Sequence, residues 1–367
     1  MRIVLTGGGT GGHLFPLVAV ARKIKAKLGP EAEFLYIGSG AEIEREVMEK
    51  EGIFVKNVQS GKLRRYFSVS NFLDVFKVPF GIIQSLWILL RFMPDAVFSK
   101  GGFASVPVVI AAWIYRIPVL IHESDAVAGL ANRISAKFSK RIAVSYPSAK
   151  KYFPERKTAI IGNPVREDVI GGDPDAGRKR FSLTESKPTV LVVGGSQGSR
   201  SLNEAVVKIL PELLQKAQVI HQTGKLNYEK VVHLAGEYGV KAGREGYVPV
   251  PFMDDESMKD ALAVCDIVVS RSGANAISEI AASRKPAILI PLESAANDHQ
   301  RMNAYDISRI GGAVVLEESN LGPHLLLHKI EEIVFNKELA DSMAEKMGTF
   351  YHPDADEVIA NGVIGMV

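Results

Sequence analysis

A histidine set directly after a glycine-rich turn can take a proton from a substrate that the turn holds. Near the N-terminus, "RIVLTGGGTGGHLFP" places Gly7, Gly9 and Gly12 at G-x-G-x-x-G spacing and follows them with His13. A glycine loop ahead of a helix bares backbone N–H groups and aims the positive end of the helix dipole at an anion. An imidazole titrates near pH 6.5, about where a neutral base is needed for chemistry at neutral pH. The blander reading is a tight turn, with His13 capping a helix that begins near Pro16 or filling space in the loop. A second candidate base, Glu123, ends the strand-like run "PVLIHE".

The glycine spacing invites a nicotinamide cofactor, but that reading needs an acid at the end of the second strand to hold the ribose diol. The second strand-like run, "EFLYIG", ends in Ile37 and Gly38. Glu31 and Glu33 come before its end, and Glu42 follows only after a further loop. The first loop is therefore expected to be an anion site other than an NAD site. A second loop, "GGSQGSRSLN", centres on Ser196, whose hydroxyl could grip a diphosphate. A third segment, "SRSGANAISEIAASRKPAILIP", opens a helix at Gly273 and Ala274 and carries Glu279 about two turns in. A carboxylate there can accept two hydrogen bonds from a ribose diol. After the next strand-like run, "LESAANDHQRMN" supplies Asp298, His299, Gln300 and Asn303, a dense set of donors and acceptors suited to sugar hydroxyls.

These groups need a scaffold that presents several loops at one edge. Short apolar runs ("RIVL", "DAVFS", "RIAVS", "TAIIG") alternate with helical patterns such as Leu17, Val20, Ala21, Ile24 and Leu28. That alternation predicts parallel sheets with crossover helices. After "GNPVR" the text turns polar, then the alternation restarts with "TVLVVGG", "AQVIHQTG", "DIVVSRSG", "PAILIPL" and "GAVVL". At 367 residues two domains are the default. The expected fold is α/β, two Rossmann-like domains. The divisions are residues 1–163, a linker region 164–188, a second domain 189–343 and a helical tail 344–367 that could pack back on the first domain.

The composition is globular, and a net charge of +3 does not announce a nucleic-acid partner. The single cysteine, Cys265, allows no internal disulfide and suits a reducing compartment. No secretory signal is expected, and "FLDVFKVPFGIIQSLWILLRFMP" is interrupted too often for a spanning helix.

Nine motifs in order, "GGTGGHLFP", "KGGFASVP", "IHESDAVAGLANR", "IGNPVR", "VVGGSQGS", "HQTGK", "PFMDD", "SRSGANAISEIA" and "DHQRMNA", give a resemblance that runs from Ile3 to about Leu316. The chain resembles the MurG family, bacterial transferases that add N-acetylglucosamine to undecaprenyl-pyrophosphoryl-N-acetylmuramoyl-pentapeptide, converting lipid I to lipid II in peptidoglycan synthesis. The resemblance implies an inverting glycosyltransferase of the GT-B type, two domains facing across a cleft, with lipid acceptor on the N-terminal domain and UDP-N-acetylglucosamine on the C-terminal one. It implies that Thr10, Gly11 and Gly12 are the first-loop contacts and that His13 is the catalytic-site histidine. Asp125 and Asn132 of "ESDAVAGLANR" fall at acceptor positions. Arg166, Ser196 and Gln197 fall at the donor diphosphate, Met253 at the uracil, Ala274, Asn275, Ala276, Ile277, Ser278 and Glu279 at the diphosphate and ribose, and His299 and Gln300 at the transferred sugar. Three positions depart from some relatives: Phe103 replaces Tyr, Asp125 replaces Asn and Ala276 replaces Thr.

No metal site or obligatory cofactor is expected, since the chain shows no D-x-D cluster that would suggest a bound cation. A divalent cation such as Mg would serve only as an activator. The implied partners are UDP-N-acetylglucosamine, lipid I in the membrane and an anionic membrane surface, which Lys62, Arg64 and Arg65 and the apolar residues Phe72, Phe76, Ile82, Ile83, Leu86, Trp87 and Leu90 would meet. The implied location is peripheral, on the cytoplasmic face of the cell membrane. Fold alone leaves two other readings, a UDP-N-acetylglucosamine 2-epimerase-like isomerase and a non-enzymatic nucleotide-sugar-binding protein.

Overall fold

In the computed structural model the described residues are 1–8, 11–61, 69–195 and 197–367; of 69–76 and 296 the backbone alone is described. They form two compact units, Met1–Val165 with His352–Val367, and Arg166–Tyr351. The first contains strands β1 (Arg2–Thr6), β2 (Glu33–Gly38), β3 (Phe54–Asn57), β4 (Ala96–Ser99), β5 (Val119–Glu123), β6 (Arg141–Val144) and β7 (Thr158–Ile160). They make a seven-stranded sheet in the order β3-β2-β1-β4-β5-β6-β7, and every pair is parallel. The second contains β8 (Thr189–Val193), β9 (Gln218–Gln222), β10 (Tyr247–Val250), β11 (Ile267–Ser270), β12 (Ala287–Leu289) and β13 (Ala313–Val315), in the order β10-β9-β8-β11-β12-β13, again all parallel. The two-sheet α/β class read from the alternation is the observed one.

Each sheet is covered by helices because its central strands are apolar on both faces. Ile3, Val4 and Leu5 of β1 are fully buried, as are Val190 and Leu191 of β8. Helix Gly11–Leu28 turns Leu14, Leu17, Val20, Ala21 and Ile24 onto the first sheet. That helix begins at Gly11, not near Pro16. Pro16 lies inside it and forfeits a single backbone bond, because its nitrogen carries no hydrogen.

Two strands missed by the alternation, β3 and β10, are edge strands. An edge strand buries little and needs no continuous apolar run: Phe54 of β3 is 79% exposed. Pro249 of β10 is tolerated because an edge strand has one side without a ladder.

The expected linker 164–188 is corrected. It contains helix Pro174–Phe181, capped by Asp173, and belongs to the second unit. Its polar text is misleading because it buries only Gly177 and Phe181. A Cβ on Gly177 would stand 2.6 Å from the carbonyl oxygen of Asp260 in helix Asp255–Val264. The expected boundary at 344 is corrected as well, since helix Lys337–Gly348 runs through it and the first unit resumes at His352. The last helix, Ala355–Ile364, buries Ile359, Ala360 and Val363 in the first unit's core, and Lys27 pairs with Glu357 at 2.7 Å.

One histidine in each unit is buried and neutral. His122 donates from Nε2 to the carbonyl of Gly162 (2.9 Å), and burial holds it well below the ordinary imidazole value. His221 donates from Nε2 to Asn203 Oδ1 (3.0 Å) and accepts at Nδ1 from Tyr247 (3.1 Å); burial pushes it down to about 3. Both folded values are depressed, so between about pH 6.5 and the folded value the unfolded chain binds a proton that the folded unit does not. Each unit should therefore lose about 1.4 kcal/mol of stability per pH unit below about 6.5 from its buried histidine. Histidine NMR spectra check this directly. Of the eight histidines, His122 and His221 should show no titration between about pH 8 and pH 5, and a midpoint for either within that window would contradict it.

Candidate functional site

In both sheets the strand order reverses beside the first strand of its unit, at β1/β4 and at β8/β11. Loops leaving the carboxyl ends of such a pair diverge to opposite faces and open a crevice. The glycine loops quoted above leave those strands.

In the first unit, the loop after β1 carries Gly8 and His13, and the loop after β4 carries Lys100, Gly101 and Gly102. The two meet backbone to backbone. A Cβ on Gly102, where φ is +87°, would lie 2.6 Å from the nitrogen of Gly8, so no side chain fits there. His13 sits in the first turn of its helix. Its Nδ1 is 3.1 Å from the Gly8 carbonyl, which can only accept, so the proton is on Nδ1 and Nε2 carries the lone pair. Burial, then the charge of Lys100, lowers the His13 pKa below the imidazole norm. The Gly8 carbonyl, Asp125 and Glu44 pull the other way.

Glu123, at the end of β5, is 4% exposed. Its Oε1 accepts from the Asp125 N–H (3.1 Å), and its Oε2 from the Gly129 N–H (2.9 Å) and Asn132 Nδ2 (3.0 Å). Burial, then Asp125, raises its pKa, against those three hydrogen bonds. Asn132 thus serves Glu123 and the His122 carbonyl (3.1 Å). The acid nearest the end of β2, Glu44, is fully buried and accepts from Ser39, Gly40 and Ala41. It is occupied in closing its own loop, which agrees with a first loop that is no NAD site. Thr10 lies outside the described residues; Gly11 and Gly12 open the helix.

In the second unit a cavity of about 660 Å³ lies over the β8/β11 pair, with Gly195, Gln197, Gly273, Ala276 and Gln300 in its lining. Ser196 lies outside the described residues. Helix Ala274–Ala282 starts there at Gly273, with no side chain capping its first turn, an arrangement that favours an anion. Along this helix Asn275 and Ala276 are partly exposed. Ile277 is fully buried, and Ser278 is 4% exposed with its hydroxyl donating to the Ala274 carbonyl (2.7 Å). The side chains of Ile277 and Ser278 are thus turned inward, which leaves the backbone of this segment as the part that faces the cavity side.

Arg166 is brought to this helix. It pairs with Asp255 and lies 3.6 Å from Glu279 Oε1. Burial raises the Glu279 pKa, and Arg166 opposes that. Met253 is 4% exposed and its N–H donates to Gln222 Oε1 (2.9 Å). Gln300 Oε1 accepts from the Leu292 N–H (3.0 Å), which leaves its amide nitrogen as the end able to donate to a hydroxyl. Asn297 and Asp298 both have positive φ (+58° and +52°) ahead of helix His299–Arg309. Asn and Asp tolerate that conformation best among residues with side chains, which explains why they stand before His299.

Two residues that the sequence reading passed over organise these loops. Arg271, 7% exposed, donates to the carbonyls of Ile290 and Pro291 (both 3.2 Å), to Ser199 (2.7 Å) and Ser201 (3.0 Å), and to Glu318. It ties together the chain ends after β8, β11 and β12. Lys100 is 1% exposed, and its Nζ has no hydrogen-bond partner among the described residues. The signal for both was an isolated cation beside a glycine turn at a strand end.

Among the described residues no group of three or more His, Cys, Asp or Glu is placed to hold a metal ion. Two D-x-D spacings do occur, Asp173–Asp175 and Asp354–Asp356, each in a helix-start position. Asp173 caps its helix, and Asp356 lies 3.8 Å from Lys23.

Two parallel sheets, each with glycine loops at its switch point, and an uncapped helix start in the second suit a two-domain enzyme acting on a nucleotide sugar. Comparison with known families agrees: residues 3–144 match the glycosyltransferase family 28 N-terminal domain, and residues 189–359 match the family 28 C-terminal domain. A Clostridium perfringens protein named UDP-N-acetylglucosamine–N-acetylmuramyl-(pentapeptide) pyrophosphoryl-undecaprenol N-acetylglucosamine transferase is 42% identical over 92% of this chain and 91% of its own. A Bacillus cereus transferase 2 of the same name is 39% identical over 94% of this chain and 95% of its own. The crystal structure of Acinetobacter baumannii MurG superposes with a TM-score of 0.78, at 25% identity, over 100% of this chain and 99% of that one. The chain belongs to the MurG family of N-acetylglucosamine transferases.

Proposed function

We propose that the protein transfers N-acetylglucosamine from UDP-N-acetylglucosamine to the 4-hydroxyl of undecaprenyl-pyrophosphoryl-N-acetylmuramoyl-pentapeptide, with inversion at the anomeric carbon. The observation that carries this reading is the 42% identity, over 92% of the chain, to a relative of that printed activity. The second unit holds the donor. The uncapped helix start at Gly273 and the Arg166 guanidinium meet the diphosphate. Glu279 accepts from the ribose diol, and Gln300 donates to the sugar. These fixed positive groups answer the leaving diphosphate's charge, so a divalent cation acts only as an activator.

The first unit receives the acceptor. His13 Nε2 takes the proton of the 4-hydroxyl as its oxygen attacks the anomeric carbon. The bond from that carbon to the UDP oxygen breaks, and UDP leaves with the electron pair. His13 suits the role better than Glu123, because both Glu123 oxygens already accept from its own loop. With its pKa lowered, His13 stays an unprotonated base at neutral pH.

The test is transfer of labelled N-acetylglucosamine from UDP to a lipid I analogue. The unmodified protein should label the lipid, and His13→Ala should lower kcat by about 10²–10⁴ with UDP affinity nearly unchanged. Retention of more than about a tenth of kcat would remove His13 as the base. Donor turnover without lipid would favour an isomerase.

The acceptor's lipid also requires a membrane surface, and helix Val69–Phe92 supports one in the first unit. Gly81, Ser85 and Leu89 are buried along one stripe. Phe80, Ile83, Trp87 and Leu90, on the other, are each more than half exposed, and the Arg91 guanidinium lies 4.6 Å from the Trp87 ring. Among the described residues no helix is long and apolar enough to cross a membrane. Lys62, Arg64 and Arg65 lie outside the described residues, as do the side chains of Phe72 and Phe76. We propose that the exposed stripe docks on anionic lipid at the cytoplasmic face of the membrane. Both tryptophans of the chain, Trp87 and Trp113, are more than half exposed. Vesicles containing anionic lipid should therefore blue-shift the intrinsic fluorescence, and an Ile83→Glu, Trp87→Glu double variant should no longer co-sediment with them. Unchanged co-sedimentation of that variant would contradict docking through this stripe.

A further inference from the structure

A buried ammonium with no acceptor is an expensive group to keep, and among the described residues the Lys100 Nζ has none. It directly follows β4, and its N–H donates to the Thr6 carbonyl (2.9 Å), so its backbone is strapped to the end of β1 at the switch point. Its Cβ and that of His13 flank the first glycine loop: they are 3.7 and 3.4 Å from where a Cβ on Gly7 would stand. The loop that follows, Gly101–Gly102, presses on Gly8, whose carbonyl holds His13. Lys100 and His13 therefore belong to one rigid pair of loops.

We propose that Lys100 is a positioning residue for the transfer, whose buried positive charge beside the first glycine loop adds to burial in disfavouring a second positive charge on the His13 imidazole. The charged groups around His13 come from each neighbouring element: Lys100 after β4, Asp125 after β5, and Glu44 from helix Glu42–Lys50, besides the Gly8 carbonyl. Lys100 is the cation in that set and the carboxylates oppose it. Around Lys100 itself stand Glu123 and Asp125, which favour its charged form, and His122, which its charge keeps neutral. Burial, against those carboxylates, brings Lys100 down to about 8, so it remains mostly charged at pH 7. Because it forms no hydrogen bond among the described residues, its influence on His13 is its charge.

The inference rests on His13 being the base, but its test does not. The His13 imidazole is titrated by NMR in the full-length protein without substrate, for the unmodified chain and for Lys100→Met, Lys100→Gln and Lys100→Arg. The two neutral replacements should raise the proton affinity of His13 about tenfold, and the acid limb of the kcat/KM profile for transfer should move to higher pH with it. Lys100→Arg keeps the charge and should keep the native His13 midpoint. Replacing a buried unpaired charge by methionine should not cost the fold, and UDP affinity in the second unit provides a check that is independent of the first. An unchanged His13 midpoint in both neutral variants overturns the proposal. So does a midpoint in Lys100→Arg that moves as far as in Lys100→Met, because a change of packing would then account for both. The His13→Ala turnover measured separately decides the base assignment, so the two readings fail by different results.

Discussion

The rest of this structure depends on the reversal of strand order in each sheet. At β1/β4 and again at β8/β11, adjacent parallel strands send their loops in opposite directions. The loops can approach one another only where side chains are absent. Gly102 against Gly8 meets that demand in the first unit. In the second, Gly198 meets a like demand on the other side of β8, where its loop passes the end of β9 and a Cβ would lie 2.0 Å from the Thr223 carbonyl oxygen. A methyl group at either point would force the loops apart, and the groups that follow them in sequence would lose their positions.

The same architecture is used for two different electrostatic tasks. In the second unit the edge is built from an uncapped helix start and from Arg166, with Arg271 tying the surrounding chain ends, and it suits the charge of a diphosphate. In the first unit the edge is a set of titratable groups, buried Lys100 and Glu123 with partly exposed His13 and Asp125, held by backbone bonds and by each other's charge. Such a set suits proton transfer better than tight anion binding. A mixed set of acids and bases with shifted ionisation is a common mark of a reaction centre.

Much of this was legible in the text of the chain. The central strands read clearly because burial on both faces demands unbroken apolar runs, as in "TVLVV". The edge strands β3 and β10 did not: three of the four residues of "FVKN" are exposed, and Pro249 interrupts "YVPV", whose side chains alternate between buried and half-buried. Helix Pro174–Phe181 hid in a polar stretch because it buries only Gly177 and Phe181, and its other tie to helix Asp255–Val264 is polar, Arg180 pairing with Asp260 and Glu256. The glycine loops and Glu279 stood out through spacing. Lys100 and Arg271 did not, because an isolated cation in a sequence looks like surface charge, and only the packed structure shows them 1% and 7% exposed. Within Ala274–Glu279, helical periodicity turns the side chains of Ile277 and Ser278 inward, a distinction that quoting the segment whole does not make.

The central claim is that the second unit's switch point is the donor site and the first unit's is not. Amide chemical-shift mapping of the full chain with UDP tests it most directly. The account predicts that the largest shifts fall at Gly194–Ser199, at Gly273–Ala276 and at Gln300, with Gly7–His13 and Lys100–Gly102 little changed. Largest shifts at the first glycine loop instead would contradict it.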